Sequence, residues 1–243
     1  MLTPTSKENL QIVYQDSHYV AINKPPGLLV HRTNIDFHEK RFALQLLRDQ
    51  LGRQVHPVHR LDKATSGILI FALNEESLRL LKLKFESGEM RKEYQAIVRG
   101  FSPDEGTINQ PLKRPKATRR DSDSIDYQEA QTNFETLGRV ELPLPTDKHE
   151  TTRYSHLLLK PKTGRWHQLR RHLASINHPI IGDTTHGDNK QNRLFLERYG
   201  FRRLWLVATR LSFENPMTRE WLDIKVEAWA DFEKALRVTG LSE

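Results

Sequence analysis

Short apolar segments bounded by turn residues recur along this sequence, and they limit its fold more than any other feature. They are rich in valine, isoleucine and aromatic residues, which is typical of β-strands. Pro25-Pro26-Gly27 ends one of them, because proline has no N–H to donate to a neighbouring strand. The predicted strands are Ile12–Tyr14, Tyr19–Ile22, Ile68–Leu73, Glu89–Arg99, Thr132–Leu137, Tyr154–Leu159, Leu204–Val207, Leu211–Phe213 and Trp221–Val226.

Fewer segments have the apolar spacing that predicts a helix. Asn74 can cap one of them and Gly88 can end it, since asparagine accepts hydrogen bonds at a helix start and glycine adopts the left-handed backbone at a helix end. The predicted helices are Glu39–Leu51, Glu75–Ser87, Arg165–Ser175 and Ala230–Val238. Because strands outnumber helices and short turns join many of them, we expect an α+β fold.

We expect residues 1–243 to form a single catalytic domain with its core at about 11–226. Its central sheet is predicted to be mixed, largely antiparallel and divided into two lobes, with helices and loops around it and the active-site cleft between the lobes. The chain lacks cysteine, which excludes disulfides and thiolate chemistry. Met1–Leu10 is mostly polar, and no apolar run approaches the length of about 20 residues that spans a bilayer. We therefore expect a soluble cytoplasmic protein that has no membrane contact.

The charge of the chain favours a polyanionic partner. Lysine and arginine total 38 against 31 aspartates and glutamates, a formal net charge of +7. From Thr151 to Gly182 there are six lysines or arginines and no acidic residue. A second basic run, beginning Lys113-Arg114-Pro115-Lys116, passes into the acidic stretch Asp121–Asp126. We interpret residues of about 113–129 as a flexible surface insertion, because they are polar and lack periodicity.

The densest cluster of reactive side chains lies between a predicted helix and a predicted strand, and three interpretations of it stay open. His56, His59 and Asp62 are residue types that bind a hydrolytic metal ion. Ser66 with His59 and Asp62 has the composition of a nucleophilic triad, although no nucleophile-elbow pattern surrounds it. Alternatively, Asp62 and Thr65-Ser66 only cap a turn.

Four blocks of the sequence resemble, in the same order, the motifs of a known family. His59-Arg60-Leu61-Asp62 followed by Thr65-Ser66-Gly67 looks like the signature of the large pseudouridine synthase family, which acts on ribosomal and transfer RNA. The other three blocks are Tyr19–Gly27, Lys92–Gly100 and Thr163–Asp183. The resemblance implies an RNA-modifying isomerase that needs no cofactor and no metal ion.

The resemblance assigns three catalytic residues. Asp62 becomes the single catalytic carboxylate, which suits a reaction that cleaves a glycosidic bond while excluding water. Tyr94 becomes the active-site tyrosine, placed to pack on the uracil ring and to help remove the C5 proton. Arg170 becomes the partner that holds Asp62 ionised and oriented.

Helical spacing gives separate support for the position of Arg170. The apolar stripe of the predicted helix consists of Trp166, Leu169, Leu173 and Ile176. At about 100° per residue, Arg170 lies on one flank of this stripe and can reach inward, whereas Arg171 lies opposite and faces solvent.

The remaining candidate residues would bind RNA. By resemblance, Arg60 occupies the space that an extruded base leaves, and its planar cation suits stacking. His59 is expected to fix the loop through a hydrogen bond beside the RNA. Lys162, Arg165 and Arg171 are expected to contact phosphates, although each is equally explained as a solvated surface charge.

One subgroup of the family resembles this chain most. Thr151–Tyr154, His186-Gly187-Asp188 and Gln191-Asn192-Arg193 are similar to members that modify the uridine at position 65 of transfer RNA. We expect a monomer, without the separate N-terminal RNA-binding domain of some relatives. Two alternatives to this tRNA-modifying enzyme stay open. One is an enzyme of the same chemistry that acts on ribosomal RNA, and the other is a non-catalytic RNA-binding module.

Overall fold

The computed structural model describes residues 9–32, 39–115, 126–146 and 149–242. The helices and strands in these ranges are, in chain order, β1 (Ile12–Gln15), β2 (Tyr19–Lys24), α1 (Ala43–Leu51), β3 (His56–Pro57), β4 (Ser66–Ala72), α2 (Glu75–Ser87), β5 (Arg91–Arg99), β6 (Glu105–Asn109), β7 (Leu112–Lys113), β8 (Tyr127–Gln128), β9 (Gln131–Leu142), β10 (Thr152–Pro161), α3 (Gln168–Ser175), α4 (Asn189–Tyr199), β11 (Leu206–Glu214), β12 (Trp221–Lys225) and α5 (Ala230–Thr239). The predicted α+β class is confirmed.

The chain divides into two compact units. Unit 1 contains the described residues up to Met90 together with Arg210–Val226, and unit 2 contains Arg91–Thr209 and the described residues from Glu227 onward. β11 begins in unit 2 and ends in unit 1. Within the described part of the chain, no helix has both the length and the apolar character needed to cross a lipid bilayer.

Unit 1 is built on two fully buried strands, β2 and β4, which pair with each other in antiparallel register. β1 pairs with β2, β3 with β4, and β12 with the end of β11, all antiparallel. One hydrophobic cluster in the core of this unit consists of Tyr19, Ala21, Val58, Ile68, Ile70, Ala72, Leu81, Met90, Leu211, Phe213 and Ile224. The turn after β3 and the start of β4 are therefore fixed to a packed scaffold, which positions the loop between them.

Helix α2 begins and ends where the sequence predicts. The Asn74 side chain accepts a hydrogen bond from the backbone N–H of Ser77 at 2.9 Å, and Gly88 adopts a left-handed backbone with φ of 79°. Both contacts satisfy backbone groups that a helix terminus leaves without partners. The capping prediction is confirmed.

Unit 2 contains a sheet in the order β5-β10-β9-β6, again antiparallel. The predicted insertion at about 113–129 has structure at both of its ends, because β7 pairs with β8 and the backbone N–H of Arg114 donates to the Asp126 carbonyl oxygen at 2.8 Å. Residues 116–125 lie outside the described residues.

Several predicted elements differ from the observed ones. The helix predicted to begin at Glu39 begins at Ala43, because Phe42 has an extended backbone with φ of −138° and bridges to Leu29. The strand predicted to end at Leu137 continues to Leu142 as part of β9. The helix predicted to begin at Arg165 begins at Gln168, because His167 has a left-handed φ of 51° that a right-handed helix cannot contain. The strands predicted at Leu204–Val207 and Leu211–Phe213 are one continuous strand, β11.

Helix α4 was not predicted from the sequence. It is mostly polar, and Phe195 is its one fully buried residue, so it lacks an apolar stripe wide enough to reveal its period. Its start has a clear local cause, since the Asp188 side chain accepts from the N–H groups of Lys190 and Gln191.

Candidate active site

Asp62 lies on the loop that joins β3 to β4 in unit 1. Its neighbours Leu61 and Thr65 are buried, and Asp62 itself is half-buried. The turn is closed by the backbone, since the Thr65 N–H donates to the Asp62 carbonyl oxygen at 3.1 Å. This hydrogen bond uses the main-chain oxygen of Asp62 and not its carboxylate.

A buried lysine anchors this loop. Lys24, at the end of β2, is fully buried, and its Nζ donates to the carbonyl oxygens of Pro25, Leu28 and Lys63 at 3.0, 2.8 and 3.1 Å. The N–H of Gly27 donates to the same Lys63 oxygen at 2.9 Å. A buried ammonium group is tolerated only when its three donors are used, so these bonds tie the Pro-Pro-Gly turn to the residue that follows Asp62. Sequence reasoning missed this role, although a lysine directly after an apolar strand was a usable signal.

His59 is held by the fold of unit 1. Its Nε2 accepts a hydrogen bond from the Ile70 N–H at 3.3 Å, and its ring stacks on Phe85 with centroids 4.7 Å apart. This is the contact expected of a residue that fixes the loop. Arg60, the next residue, is exposed.

The two other interpretations of this cluster gain no support. Ser66 is fully buried in β4, whereas a nucleophilic serine must reach its substrate. Among the described residues, no group of three or more histidines, cysteines, aspartates or glutamates is arranged to hold a metal ion.

Tyr94 lies on β5 in unit 2, opposite Leu159 of β10. It is half-buried, whereas Ala96, Ile97 and Val98 farther along the strand are fully buried. Alternation along the strand places Lys92 and Tyr94 on the same face of the sheet. The phenol therefore lies on the half-buried part of β5, before the strand enters the core.

Arg170 is buried on α3 and forms a bidentate ion pair with Asp183. Its Nε and Nη2 donate to Oδ2 and Oδ1 of Asp183, both at 2.7 Å. Asp183 Oδ1 also accepts from the N–H groups of Thr185 and His186. Burial alone would raise the pKa of Asp183, but the hydrogen bonds from Arg170, His186 and Thr185 lower it below its usual value. Asp183 therefore stays ionised and fixes the plane of the guanidinium group.

Two histidines extend this cluster. Nη1 of Arg170 lies 2.9 Å from Nε2 of His167, and Nδ1 of His167 lies 3.0 Å from Nε2 of His186. Because arginine can only donate, His167 accepts at Nε2 and carries its proton at Nδ1, from which it donates to His186. The chain of hydrogen bonds thus assigns the neutral tautomer of His167.

The expected apolar stripe of this helix is wrong at both ends, because Trp166 precedes α3 and the half-buried Ile176 follows it. Leu169 and Leu173 are buried as expected, but Trp166 is 39% exposed and stacks on the His167 ring with centroids 3.8 Å apart. Trp166 precedes the helix, so the helical spacing that predicted its burial does not apply to it.

The turn before α3 is locked by Gln168. Its Oε1 accepts from the Thr163 hydroxyl at 2.7 Å and from the Arg165 N–H at 2.9 Å, and its Nε2 donates to the Gln131 carbonyl and the Thr132 hydroxyl oxygens, both at 3.0 Å. Gln168 is buried and uses both ends of its amide. Sequence reasoning missed it, because its partners on β9 are distant in sequence.

The three predicted phosphate-binding residues surround this turn and α3. Lys162 is exposed. Arg165 donates from Nε to the Glu129 carbonyl oxygen at 2.9 Å. Arg171 donates from Nη1 to the Lys113 carbonyl oxygen at 3.0 Å, and its guanidinium lies 5.9 Å from the centre of the Trp166 ring. Arg165 and Arg171 are thus partly held by backbone oxygens.

The candidate residues are carried by both units. Unit 1 carries His59, Arg60 and Asp62, and unit 2 carries Tyr94, Lys162, Arg165, Arg170 and Arg171. Asp183 is the ionic partner that unit 2 itself provides for Arg170. The pairing of Arg170 with Asp62 stays a prediction.

Comparison with known proteins identifies the family. The model of the RNA pseudouridylate synthase family matches residues 18–175. A tRNA pseudouridine synthase C of Vibrio vulnificus (strain CMCP6) is 49% identical over 221 residues, which cover 90% of this chain and 90% of that protein. A tRNA pseudouridine synthase C of Yersinia pestis is 46% identical over 240 residues and covers 96% and 93%.

A solved structure is similar to this chain along nearly its whole length. Human RNA pseudouridylate synthase domain containing 1 aligns with a TM-score of 0.68 and 25% identity, covering 98% of each chain. The family match takes in more than half of the chain, including the positions of Asp62, Tyr94 and Arg170. The chain therefore belongs to the RNA pseudouridylate synthase family, whose members are isomerases.

Proposed function

We propose that this enzyme converts a uridine of transfer RNA to pseudouridine, at position 65, with Asp62 as its catalytic carboxylate. The observation that carries the tRNA assignment is the similarity to tRNA pseudouridine synthase C, at 49% identity along nine tenths of both chains. The basic stretch from Thr151 to Gly182, which contains no acidic residue, supports a nucleic-acid substrate.

The reaction cleaves the bond between uracil N1 and ribose C1′, turns the base, and joins C1′ to uracil C5. C5 loses one proton and N1 gains one, so substrate and product are isomers and no co-reactant is required. Breaking the glycosidic bond leaves positive charge on the sugar, which the carboxylate of Asp62 stabilises. The anchoring of Lys63 by Lys24 supports this role, because it fixes the backbone next to the carboxylate.

Tyr94 and Arg170 complete the proposed site. Tyr94 packs on the uracil ring and assists removal of the C5 proton; its position in the half-buried part of β5 supports this. Arg170 pairs with Asp62 and keeps it ionised. The buried contacts to Asp183 and His167 support this second role, since they leave the guanidinium group few orientations.

The uridine must leave its helix before the enzyme can reach C1′, and unstacking a base costs a few kcal/mol. Arg60 is proposed to fill the space that the base leaves; its exposure beside Asp62 supports this. Lys162, Arg165 and Arg171 contact phosphates, and His59 holds the loop beside the RNA. We further propose that the enzyme acts as a cytoplasmic monomer without a cofactor or metal ion.

The target is tested by mapping pseudouridine in RNA from a strain that lacks the gene. We expect pseudouridine to disappear at position 65 of the tRNAs that carry it, and to return when the gene is restored. Loss at a ribosomal RNA position, with tRNA position 65 unchanged, would contradict the tRNA assignment and leave the chemistry intact.

A further inference from the structure

Lys92 is a half-buried cation on β5 that the proposed reaction leaves without a role. Its side chain leaves the sheet on the same face as Tyr94, about 7 Å farther along the strand. Its Nζ donates to the carbonyl oxygen of Thr163 at 3.2 Å, in the turn that Gln168 locks.

A second cation, Arg165, lies in the same turn. Burial and, secondly, the nearby charge of Arg165 lower the pKa of Lys92 from 10.5 to about 8. Among the described residues, no carboxylate forms an ion pair with Lys92 or Arg165. Two neighbouring half-buried cations without a carboxylate partner oppose folding, and an anionic ligand bound between them would offset that cost.

The turn between these cations is open and rigid. A Cβ atom at Gly164 would lie 4.0 Å from Nζ of Lys92, so glycine leaves that nitrogen uncovered by any side chain at this position. The Gly164 N–H has no acceptor within the part of the chain that the structure describes. Gln168 fixes the residues on both sides of Gly164 through the Thr163 hydroxyl and the Arg165 N–H.

We propose that Lys92 and Arg165 bind one phosphate of the substrate RNA backbone over Gly164. The ligand is a phosphodiester because the chain acts on RNA, so this proposal rests on the proposed function. The position next to Tyr94 assigns it a phosphate that flanks the target uridine. The ammonium and guanidinium groups supply charge-assisted hydrogen bonds, and the turn requires no rearrangement to present them.

The test is binding of an unmodified tRNA transcript over a range of KCl concentrations. Lys92→Met removes the charge, Lys92→Arg retains it, and Lys234→Met removes a charge from the exposed face of α5 in the same unit. We expect Lys92→Met to raise Kd about tenfold, the scale of one hydrogen bond between charged groups. It should also reduce the slope of log K against log salt by about 1. Lys92→Arg and Lys234→Met should keep the wild-type slope.

If the slope of log K against log salt is unchanged in Lys92→Met, the proposal is overturned. Lys92 would then only stabilise the turn through its hydrogen bond to the Thr163 carbonyl oxygen. The same conclusion follows if Lys92→Arg loses as much slope as Lys92→Met. If Lys92→Met does not fold, Arg165→Met removes the other cation and should give the same loss of slope.

Pseudouridine formation by the wild-type enzyme is measured in parallel on the same transcripts. An active wild type with an unchanged Lys92→Met slope refutes the phosphate site alone. An inactive wild type refutes the proposed function, while a reduced Lys92→Met slope still supports a phosphate site.

Discussion

Two buried cations belong to the candidate site: Lys24 fixes the backbone next to Asp62, and Arg170, itself a proposed catalytic residue, is fixed by Asp183. Lys24 is surrounded by backbone carbonyl oxygens, whereas Arg170 is held by a carboxylate and an imidazole. Burying such groups costs several kcal/mol unless their donors are satisfied, so their partners are fixed together with them. The family resemblance indicates Arg170, but the sequence reveals neither the role of Lys24 nor Asp183 and His167 as the partners of Arg170.

Replacing Arg170 by lysine should reduce both stability and activity. Lysine keeps the charge but cannot form the two parallel hydrogen bonds to Asp183 or reach His167 with a planar group. We expect a loss of about 1–3 kcal/mol in the free energy of unfolding and at least a hundredfold drop in kcat. Denaturant unfolding and single-turnover kinetics measure the two effects.

The neighbouring residue provides the control. Arg171→Lys changes the same atoms on the same helix at a more exposed position, and it should alter stability by less than about 0.5 kcal/mol. If the two substitutions lower the free energy of unfolding equally, the paired hydrogen bonds from Arg170 to Asp183 have no special role in stability.

The lowered pKa of Lys92 predicts that the affinity for RNA depends on pH. Because its pKa is lowered to about 8, it is charged below that pH and mostly neutral above it. The RNA affinity of the wild type should therefore fall as the pH rises from about 7 to about 9. Arg165, which faces Lys92 from the turn, stays charged throughout this range. In Lys92→Arg the fall should be absent, and an equal fall in both proteins would refute the assignment.

At the scale of elements, strands and helices with a strong apolar pattern could be predicted from the sequence. α2 was predicted with both ends correct, since Asn74 and Gly88 act locally. α4 could not be recognised, because its apolar pattern is weak. The start of α3 was placed three residues too early, because the left-handed backbone of His167 follows from side-chain contacts that no local pattern reveals.

Gln168 should be the residue on which the turn before α3 depends most. Gln168→Ala removes four hydrogen bonds and takes away the acceptor of the Arg165 N–H. The Thr163 hydroxyl, the Gln131 carbonyl and the Thr132 hydroxyl each keep one other hydrogen bond. We expect a loss of about 2–4 kcal/mol in the free energy of unfolding together with weaker RNA binding. The measurements are thermal unfolding and Kd for the tRNA transcript.

Gln191→Ala is the matched substitution, since the Gln191 side chain accepts one hydrogen bond, from the Tyr154 hydroxyl at 3.1 Å. It should cost about 1 kcal/mol and leave RNA affinity unchanged. If Gln168→Ala costs no more than Gln191→Ala, the turn is held by other contacts.

At the scale of the whole molecule, the proposed catalytic residues are distributed over two units. The order of the motifs predicted Asp62, Tyr94 and Arg170, and the structure places them on a loop, a strand and a helix. The net positive charge of the chain gave the remaining expectation, which is a basic surface that binds RNA. The buried network around Arg170 could not be predicted, because it joins α3 to the Asp183–His186 segment through contacts that depend on tertiary packing.

The central claim is that Asp62 is the single catalytic carboxylate, and one measurement tests it most directly. Pseudouridine formation is followed in a tRNA transcript with purified wild type, Asp62→Asn, and the control Asp49→Asn, which changes an exposed aspartate of α1 in the same unit. We predict that Asp62→Asn lowers the rate by more than about 10⁴-fold while still binding the transcript, and that Asp49→Asn keeps the wild-type rate. A folded Asp62→Asn protein that forms pseudouridine at a rate close to that of the wild type would contradict the assignment.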